Sequence, residues 1–488
     1  MSQKSRPKVA ASSRLIKLRL FLLYSFPAVL FCSYYPLIPL TSSASTNYEL
    51  SLPLIWLFLF ACLSLKDFVI FLYNTCRKNH LFLTPLLFPL YLTLTAIWSA
   101  NPLRACLTAG ILWCLIITGV VIFTTFHQKK LLNCRKFFRF FFFSASIFCI
   151  ICWLQSLLDI LNVGREVTLL CSGCTSRMFG FPHPSGFAIE PQFMGNLLLA
   201  PTLLTLFFWT KPKPSNALPF GRRTLLTSTL LFSSTLFLTF SRGAIYAFAL
   251  GFAVLFLMNL IKLKNSHFWK TLPLLALSAI FVIFAQGVFS ALSPTNSTFL
   301  GGIEKSISQM TLGKINLSLE TEPAESSFAP EPKATDKSEP VFSGYVEEST
   351  DTRLKFNRIA LELAPESASS LIFGYGLGSA GEIMFAKGKT STPFEIVQNE
   401  PLSLLLETGL IGILLALAAF VAILRLIIAQ SPSPERYFLF SLITAFAFSL
   451  LFFSGLPNAL HIYLFPALLA ANLPMRPRSS RKPSLPNV

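Results

Sequence analysis

Long apolar runs recur along this 488-residue chain, separated by short polar segments. Many of them reach about 20 residues, the length that a helix needs to cross the hydrocarbon core of a membrane. Only 13% of the residues are charged, whereas soluble domains have about 25%, so a soluble multidomain protein is excluded. The sequence therefore predicts an all-α fold, a polytopic bundle of transmembrane helices. We predict about twelve spans, at residues 20–40, 51–72, 81–99, 104–126, 137–162, 187–210, 223–240, 244–262, 270–292, 402–429, 434–455 and 458–473.

Basic residues predict which ends of the spans face the cytoplasm. The chain has a net charge of +18, yet residues 293–401 hold 15 acidic and 9 basic residues. The other Lys and Arg residues cluster in alternate short loops, as in the cytoplasmic loops of membrane proteins. Both termini are therefore expected in the cytoplasm, and no nucleic-acid-binding surface is predicted. The predicted regions are a basic cytoplasmic N-terminus (1–19), about nine spans (20–292), a large periplasmic loop (293–401), three spans (402–473) and a basic cytoplasmic tail (474–488).

The large periplasmic loop is predicted to contain a disordered segment and one amphipathic helix. Residues 321–340 are rich in Pro, Glu, Ser and Ala, a composition typical of disorder. Residues 353–363 place apolar side chains at helical spacing.

The ends and the cations of this amphipathic helix can also be read from the sequence. Asp351 or Thr352 is expected to cap its start, and Pro365 is expected to stop it. Arg353 and Arg358 flank the apolar stripe, which suits a helix on the membrane surface with its cations toward lipid headgroups. An ordinary surface helix with solvated arginines is the simpler interpretation.

Two cysteines in the predicted outer loop 163–186, Cys171 and Cys174, allow a local disulfide in an oxidising compartment or two free thiols. A zinc site is not predicted, because no second pair of ligands lies nearby in the sequence. The chain also lacks the short motifs of nucleotide-binding and zinc-dependent enzymes. No metal and no cofactor are therefore expected.

Polar residues collect at the predicted outer ends of several spans. Arg242 lies in the short break Phe240–Ala244 between two apolar runs, on the side where the positive-inside rule disfavours a cation. It is either a residue that snorkels to the interface or one with a function. Arg177, His183 and Glu190 precede the sixth span on the same side.

The start of the tenth span carries a further polar group. Gln398, Asn399 and Glu400 directly precede the apolar run, and Glu407 follows two turns later. Asn399 or Glu400 can cap the helix, so part of this polarity is ordinary helix-start chemistry. Glu400 and Glu407 share one helix face, which we expect to line a water-filled cavity rather than to face lipid.

Arginines and carboxylates at one membrane surface suit group transfer from a lipid-linked diphosphate. One guanidinium group can bind two phosphate oxygens at once, and it stabilises the charge that develops on the leaving diphosphate. A nearby base then takes the proton of the acceptor hydroxyl.

The order of these motifs resembles that of the O-antigen ligase and Wzy-type polymerase superfamily. The resemblance rests on the stretches Ile97–Pro102, Phe187–Pro191, Ser241–Ala244, Gly374–Gly378 and Gln398–Gly412, and on the long loop before the last three spans. Members of this superfamily are bacterial inner-membrane glycosyltransferases of the GT-C type. They use undecaprenyl-diphosphate-linked glycans at the periplasmic face, without a metal or a nucleotide. The ligases transfer the glycan to lipid A–core, and the polymerases transfer it to the next repeat unit.

The resemblance implies a glycosyltransferase in the cytoplasmic (inner) membrane of a bacterium. The implied partners are a polyprenyl-diphosphate-linked glycan donor, a glycan or lipid A–core acceptor, and membrane lipids. Diphosphate-binding roles are implied for Arg242 and for Arg353 or Arg358. Substrate binding is expected of four further residues on the outer side, Arg177, His183, Asn399 and Glu407.

One position departs from the pattern of the superfamily, because Gln398 stands where the ligases typically carry a histidine before Asn399. A neutral amide cannot act as a general base. Either Glu190, Glu400 or His183 supplies the base, or Gln398 only positions the acceptor, or the protein is inactive. The departure favours a polysaccharide polymerase over a lipopolysaccharide ligase. A transporter or flippase is the alternative from another class, although transporters place their polar sites near the membrane midplane.

Overall fold

The computed structural model describes most of the chain, with gaps at both termini and in several loops. The described residues are 6–32, 36–43, 46–78, 84–127, 131–160, 177–178, 181–182, 184, 186–187, 191–211, 220–263, 269–292, 298–310, 344–393, 395–428, 433–455 and 459–473. Cys171, Cys174, His183, Glu190 and the segment 321–340 lie outside the described residues.

The described residues form sixteen α-helices and two small hairpins. The helices are α1 (Arg6–Phe31), α2 (Leu52–Lys78), α3 (Thr84–Thr95), α4 (Pro102–Val121), α5 (Cys134–Ile160), α6 (Pro191–Trp209), α7 (Arg222–Leu238), α8 (Arg242–Leu263), α9 (Thr271–Leu292), α10 (Phe299–Met310), α11 (Gly344–Leu363), α12 (Ala368–Phe373), α13 (Ala380–Ala386), α14 (Glu400–Ile428), α15 (Pro434–Ser449) and α16 (Leu460–Asn472). A π-helical turn, Ile122–His127, continues α4. The antiparallel hairpins pair β1 (Pro36–Ser43) with β2 (Thr46–Ser51) and β3 (Arg177–Met178) with β4 (Phe181–Pro182).

Seven of the described helices are long and apolar enough to cross a membrane, namely α2, α4 with its π-helical turn, α5, α6, α8, α9 and α14. The other five predicted spans coincide with α1, α3, α7, α15 and α16. The prediction of an all-α, multi-pass membrane protein is therefore confirmed.

The first predicted span, 20–40, is wrong at its end. Helix α1 begins at Arg6, inside the basic N-terminus, and ends at Phe31, and strand β1 follows from Pro36. Pro36 and Pro39 explain the difference, because proline has no N–H to donate and clashes with the preceding helical turn.

The core of the bundle is built around α6, whose residues are buried along nearly the whole helix. It packs against α7, α8 and α15. Small residues allow these helices to approach closely, as is common between helices in membranes. A Cβ added at Gly195 of α6 would lie 2.5 Å from the Cβ of Ala244 in α8.

The helix ends sort into two faces of the bundle. On one, which we call the basic face, the end of α6 meets the start of α15 through a 2.6 Å ion pair between Lys211 and Glu435. The Nδ1 atom of His127 lies 2.7 Å from the carbonyl oxygen of Ala471 on the same face. The opposite face carries α10 to α13, and we call it the loop face. This sorting agrees with the alternating directions expected of twelve successive spans.

Helix α11 contains the predicted amphipathic helix but starts earlier. It begins at Gly344, so Asp351 and Thr352 lie inside it and the predicted caps are wrong. It ends at Leu363, before Pro365, as expected. The apolar stripe packs on protein rather than on lipid, because Ile359, Ala360 and Leu363 are buried in one cluster with residues of α13 and α14.

Candidate functional site

The start of α14 is fixed on the loop face by Asn399. Its Oδ1 atom accepts a hydrogen bond of 3.1 Å from the backbone N–H of Leu402, which makes Asn399 the helix cap. Its Nδ2 atom donates at 3.0 Å to the carbonyl oxygen of Leu451, just beyond the end of α15. The predicted cap therefore also ties α14 to the turn that follows α15.

Glu400 binds the same turn with its carboxylate. Its Oε2 atom accepts hydrogen bonds from the backbone N–H of Gly455 at 2.7 Å and from the hydroxyl of Ser454 at 3.1 Å. Its own backbone N–H donates at 2.9 Å to the carbonyl oxygen of Leu450. Glu400 is only 6% exposed, so these contacts replace the water that a buried carboxylate would lose. We call residues 450–455 the α15–α16 turn.

The α15–α16 turn also contacts the starts of α6 and α8. The Nε2 atom of Gln192 donates at 2.7 Å to the carbonyl oxygen of Phe452. A Cβ added at Gly243 would lie 3.0 Å from that Nε2 atom and 3.1 Å from the Cβ of Phe452. Arg242, which precedes Gly243, thus lies beside a turn that is bound on its other side by Asn399 and Glu400.

The break before Arg242 is short and strained. Only Thr239, Phe240 and Ser241 separate α7 from α8. Phe240 has a φ of 47°, a left-handed conformation that costs an ordinary residue about 1–2 kcal/mol. Such strain is found where the surrounding structure holds a functional group in place. Arg242 is the first residue of α8 and is half-buried.

Gln398 lies between two packed neighbours on the loop face. Val397 before it is fully buried in the cluster that contains the apolar stripe of α11. Asn399 after it binds the α15–α16 turn. Gln398 itself is half-buried, and in the chain it lies between a residue packed with α11 and a residue that binds the α15–α16 turn.

The glycine-rich stretch Gly374–Gly378 forms a tight turn on this face. Gly374, Gly376 and Gly378 have φ values of 73°, 95° and 75°. Residues other than glycine rarely adopt this backbone conformation. A Cβ at Gly376 would lie 2.4 Å from the Cα of Ser99. The absence of a Cβ at Gly376 therefore allows the backbone of this turn to approach Ser99 closely.

Three of the motifs that carried the resemblance meet at this turn. The hydroxyl of Ser99 donates to the carbonyl oxygen of Leu377 at 2.8 Å, which brings in the Ile97–Pro102 stretch. The backbone N–H of Gly376 donates to the carbonyl oxygen of Glu407 at 2.7 Å, which brings in α14. Helix α14 is interrupted at this level, because Gly409 has a φ of 64° inside the helix.

Glu407 points at the glycine turn and at the start of α13. Its Oε1 atom accepts a hydrogen bond of 3.3 Å from the backbone N–H of Ala380, and the Arg104 side chain lies close enough to interact with its charge. Glu407 is buried, as are Glu400 and Ser403 on the same face of α14. The polar face of α14 is thus turned away from lipid, as expected, but it packs against protein instead of lining a water-filled cavity.

An exposed contact holds the glycine turn to α11 and α13. The carboxylate of Glu366 accepts hydrogen bonds from the Lys387 ammonium and, at 2.6 Å, from the Tyr375 hydroxyl. These two bonds, the first being the stronger cause, lower the pKa of Glu366, while burial and then Glu366 raise the pKa of Tyr375. The contact is therefore complete above the ordinary carboxyl range and is lost as the pH falls through the lowered pKa of Glu366.

The structure brings some of the predicted site residues together and leaves others elsewhere. Asn399 and Glu400 bind the α15–α16 turn, Arg242 directly precedes Gly243, which packs against that turn, and Gln398 directly precedes Asn399. Glu407 lies at the glycine turn. Arg353 is half-buried and Arg358 is exposed, both on α11, which packs against α14. Arg177 lies in β3, and its side chain is outside the description, as are His183 and Glu190.

Sequence reasoning missed two residues of this face, Gln192 and Arg104. Gln192 follows directly after the Phe187–Pro191 stretch, and Arg104 comes two residues after the Ile97–Pro102 stretch. Polar residues so close to motif stretches, in the first turn of apolar spans, were the available signal. Within the described residues, no three His, Cys, Asp or Glu side chains lie close enough together to hold a metal ion.

These features define a multi-pass membrane protein with a polar site built from helix ends on one face. A family model described as O-antigen ligase matches residues 227–417. The matched part of the chain runs from α7 into α14 and includes Arg242, Arg353, Arg358 and Gln398. The resemblance found in the sequence is confirmed by this match. A comparison with curated proteins gave no match.

Proposed function

We propose that the protein is a glycan polymerase or ligase that uses a polyprenyl-diphosphate-linked donor at its loop face. The loop face then lies on the periplasmic side of the cytoplasmic membrane, and both termini lie in the cytoplasm. The observation that carries the proposal is the meeting of Arg242 with the start of α14 at the α15–α16 turn, within a chain that carries the O-antigen ligase domain. The acceptor is the next glycan of a growing polysaccharide or lipid A–core.

The proposed reaction is a displacement at the anomeric carbon of the donor sugar. The acceptor hydroxyl oxygen forms the new glycosidic bond, and the bond from the sugar to the diphosphate breaks. Arg242, with Arg353 or Arg358 from α11, stabilises the negative charge on the departing diphosphate. Guanidinium groups suit this role because their planar fork matches two phosphate oxygens at once.

The acceptor proton requires a base that is not Gln398, because a neutral amide does not take a proton at physiological pH. The Oε2 atom of Glu400 accepts hydrogen bonds from Ser454 and Gly455 and holds the α15–α16 turn. We therefore assign Glu400 a positioning role and give the proton-accepting role to Glu190, two residues before Gln192 in the chain. Gln398 orients the acceptor.

The test is an arginine series in cells that depend on this protein for their surface polysaccharide. Arg242→Ala is expected to lower polymer formation about 100-fold or more, in line with the loss of a transition-state contact. The polymer formation of Arg242→Lys is expected to lie between that of the wild type and that of Arg242→Ala. Lysine keeps the positive charge but cannot bind two phosphate oxygens at once. The matched control is Arg425→Ala, which removes an exposed arginine at the other end of α14.

The readouts are the amount of surface polysaccharide, the accumulation of the lipid-linked precursor, and the level of the protein in the membrane. Normal polysaccharide in the Arg242→Ala strain would refute the proposal. A purified protein that moves lipid-linked glycans across liposome membranes, and forms no glycosidic bond, would identify a flippase instead.

A further inference from the structure

A cavity of about 720 Å³ lies on the basic face, at the opposite end of the bundle from the proposed reaction site. Its walls come from the first turns of α5 and from Phe220, which lies just before α7. The cationic lining residues are Arg135, Lys136 and Arg139. The aromatic lining residues are Phe140, Phe143 and Phe220.

The lining changes from charged to apolar along α5. Arg135 and Arg139 are four residues apart and therefore lie on one side of the helix, at its start. Phe143 follows Arg139 by four residues, one turn further into the span. Phe140 and Phe143 are 43% and 65% exposed, so their rings face the surroundings of the bundle. Inside a membrane span these surroundings are acyl chains.

The helices that line the cavity come from long stretches of sequence with few acidic residues. No Asp or Glu occurs between Asp67 and Asp159, which covers α5 up to its last turn, or between Glu190 and Glu304, which covers α7. The acid that approaches the basic face from α15, Glu435, is bound to Lys211 at 2.6 Å. Phe220 completes the wall by packing against Phe142, with their ring centroids 5.0 Å apart.

We propose that this cavity binds the headgroup of an anionic phospholipid, with the acyl chains lying along Phe140 and Phe143. The phosphate is held by Arg135 and Arg139, which bind phosphate oxygens in pairs, and by the point charge of Lys136. A lipid fits better than a soluble phosphate, because the exposed phenylalanine rings continue the site into the membrane. Basic pockets between transmembrane helices commonly recognise anionic headgroups in this way.

The experiment measures lipid-dependent thermal stability of the purified full chain in a neutral detergent. Phosphatidylglycerol is titrated against the wild type, against Arg135→Gln/Arg139→Gln and against the charge-matched control Lys66→Gln/Arg425→Gln. The control removes two exposed cations from other helices. Phosphatidylglycerol is expected to raise the unfolding temperature of the wild type and the control at the same lipid concentration. The double variant in α5 is expected to need about tenfold more lipid, the effect of losing charge-assisted phosphate contacts.

Two further measurements distinguish loss of lipid binding from loss of fold and from simple anion binding. Arg135→Lys/Arg139→Lys is expected to recover part of the lipid effect, which separates loss of binding from loss of fold. Phosphatidylcholine and inorganic phosphate are expected to give no shift. An equal response of the wild type and the α5 double variant would overturn the proposal, and so would a full response to inorganic phosphate, which would show a simple anion site.

Discussion

Glu400 is a buried acid on a membrane helix whose contacts fix the position of the helix start. Its carboxylate accepts two hydrogen bonds from the α15–α16 turn, while its backbone N–H donates a third to that turn. The start of α14 and the end of α15 are thereby locked together next to Gln398. In the proposed reaction, a residue with these contacts acts through the groups that it positions.

The positioning role of Glu400 predicts different outcomes for two substitutions. Glu400→Gln is expected to keep most of the polymer-forming activity, because its amide oxygen still accepts hydrogen bonds from Ser454 and Gly455. Glu400→Ala leaves buried donors without an acceptor, at a cost of about 1–3 kcal/mol each, and is expected to lose activity and thermal stability. The measurements are surface polysaccharide and the unfolding temperature of the purified protein.

A base role for Glu400 would give another pattern in the same experiment. The Glu400→Gln protein would then be folded and inactive. Both Glu400→Gln and Glu190→Gln would behave in this way only if both acids took part in proton transfer. In the proposed assignment, Glu190→Gln alone loses activity at an unchanged unfolding temperature.

The partners of Asn399 and Glu400 show what the sequence could not predict at this scale. The helix cap at Asn399 follows from local chemistry and was predicted. Its second partner is a backbone carbonyl about fifty residues later, in the stretch Leu450–Gly455. Every residue carries such a carbonyl, so no side-chain pattern marks the one that is used, and only the packing of α14 on α15 selects it.

Among the elements, the glycine turn at Gly374–Gly378 has the most demanding geometry. Its backbone lies against Ser99 and Arg104 at the start of α4 and against Glu407 of α14. It therefore joins the start of α4, the loop-face helices and the interrupted part of α14.

This geometry predicts that Gly376→Ala is strongly destabilising. The left-handed conformation alone costs alanine about 1–2 kcal/mol, and the new Cβ would overlap the backbone of Ser99. We expect a lower unfolding temperature and loss of polysaccharide. The control is Gly110→Ala in α4, where a Cβ meets nothing within 4 Å and alanine favours the helix. A Gly376→Ala protein as stable as the control would contradict the observed turn.

The elements themselves were largely predictable, because apolar length alone marks a membrane span. Each predicted span coincides with a helix. The predicted helix ends were wrong where prolines or polar residues in the sequence had a second structural meaning. Pro36 and Pro39 end helical structure inside an apolar run, and the polar residues before Arg353 continue α11 although they can also cap a helix.

For the whole molecule, the two faces differ in charge as well as in structure. Among the described residues, Lys211 and the cations at the start of α5 lie on the basic face, whereas helices α10 to α13 of the acid-rich region 293–401 lie on the loop face. An asymmetric distribution of Lys and Arg determines the orientation of multi-pass membrane proteins.

The charge asymmetry predicts the orientation in the cell. A fluorescent protein fused after Val488 is expected to fold and fluoresce, because it stays in the cytoplasm. Alkaline phosphatase inserted after Lys389 on the loop face is expected to be active, because it requires the periplasm. The reverse pattern would place the proposed reaction on the cytoplasmic side and refute this orientation.

The α15–α16 turn has a consequence for how the protein is made. Residues 450–455 contact the starts of α6, α8 and α14, yet they leave the ribosome after all three helices. Arg242 and Glu400 reach the membrane earlier and remain without this turn until α15 has inserted. Biogenesis therefore delays the assembly of the site until α15 has followed α14, and nascent chains that stop before α15 enter the membrane without a completed site.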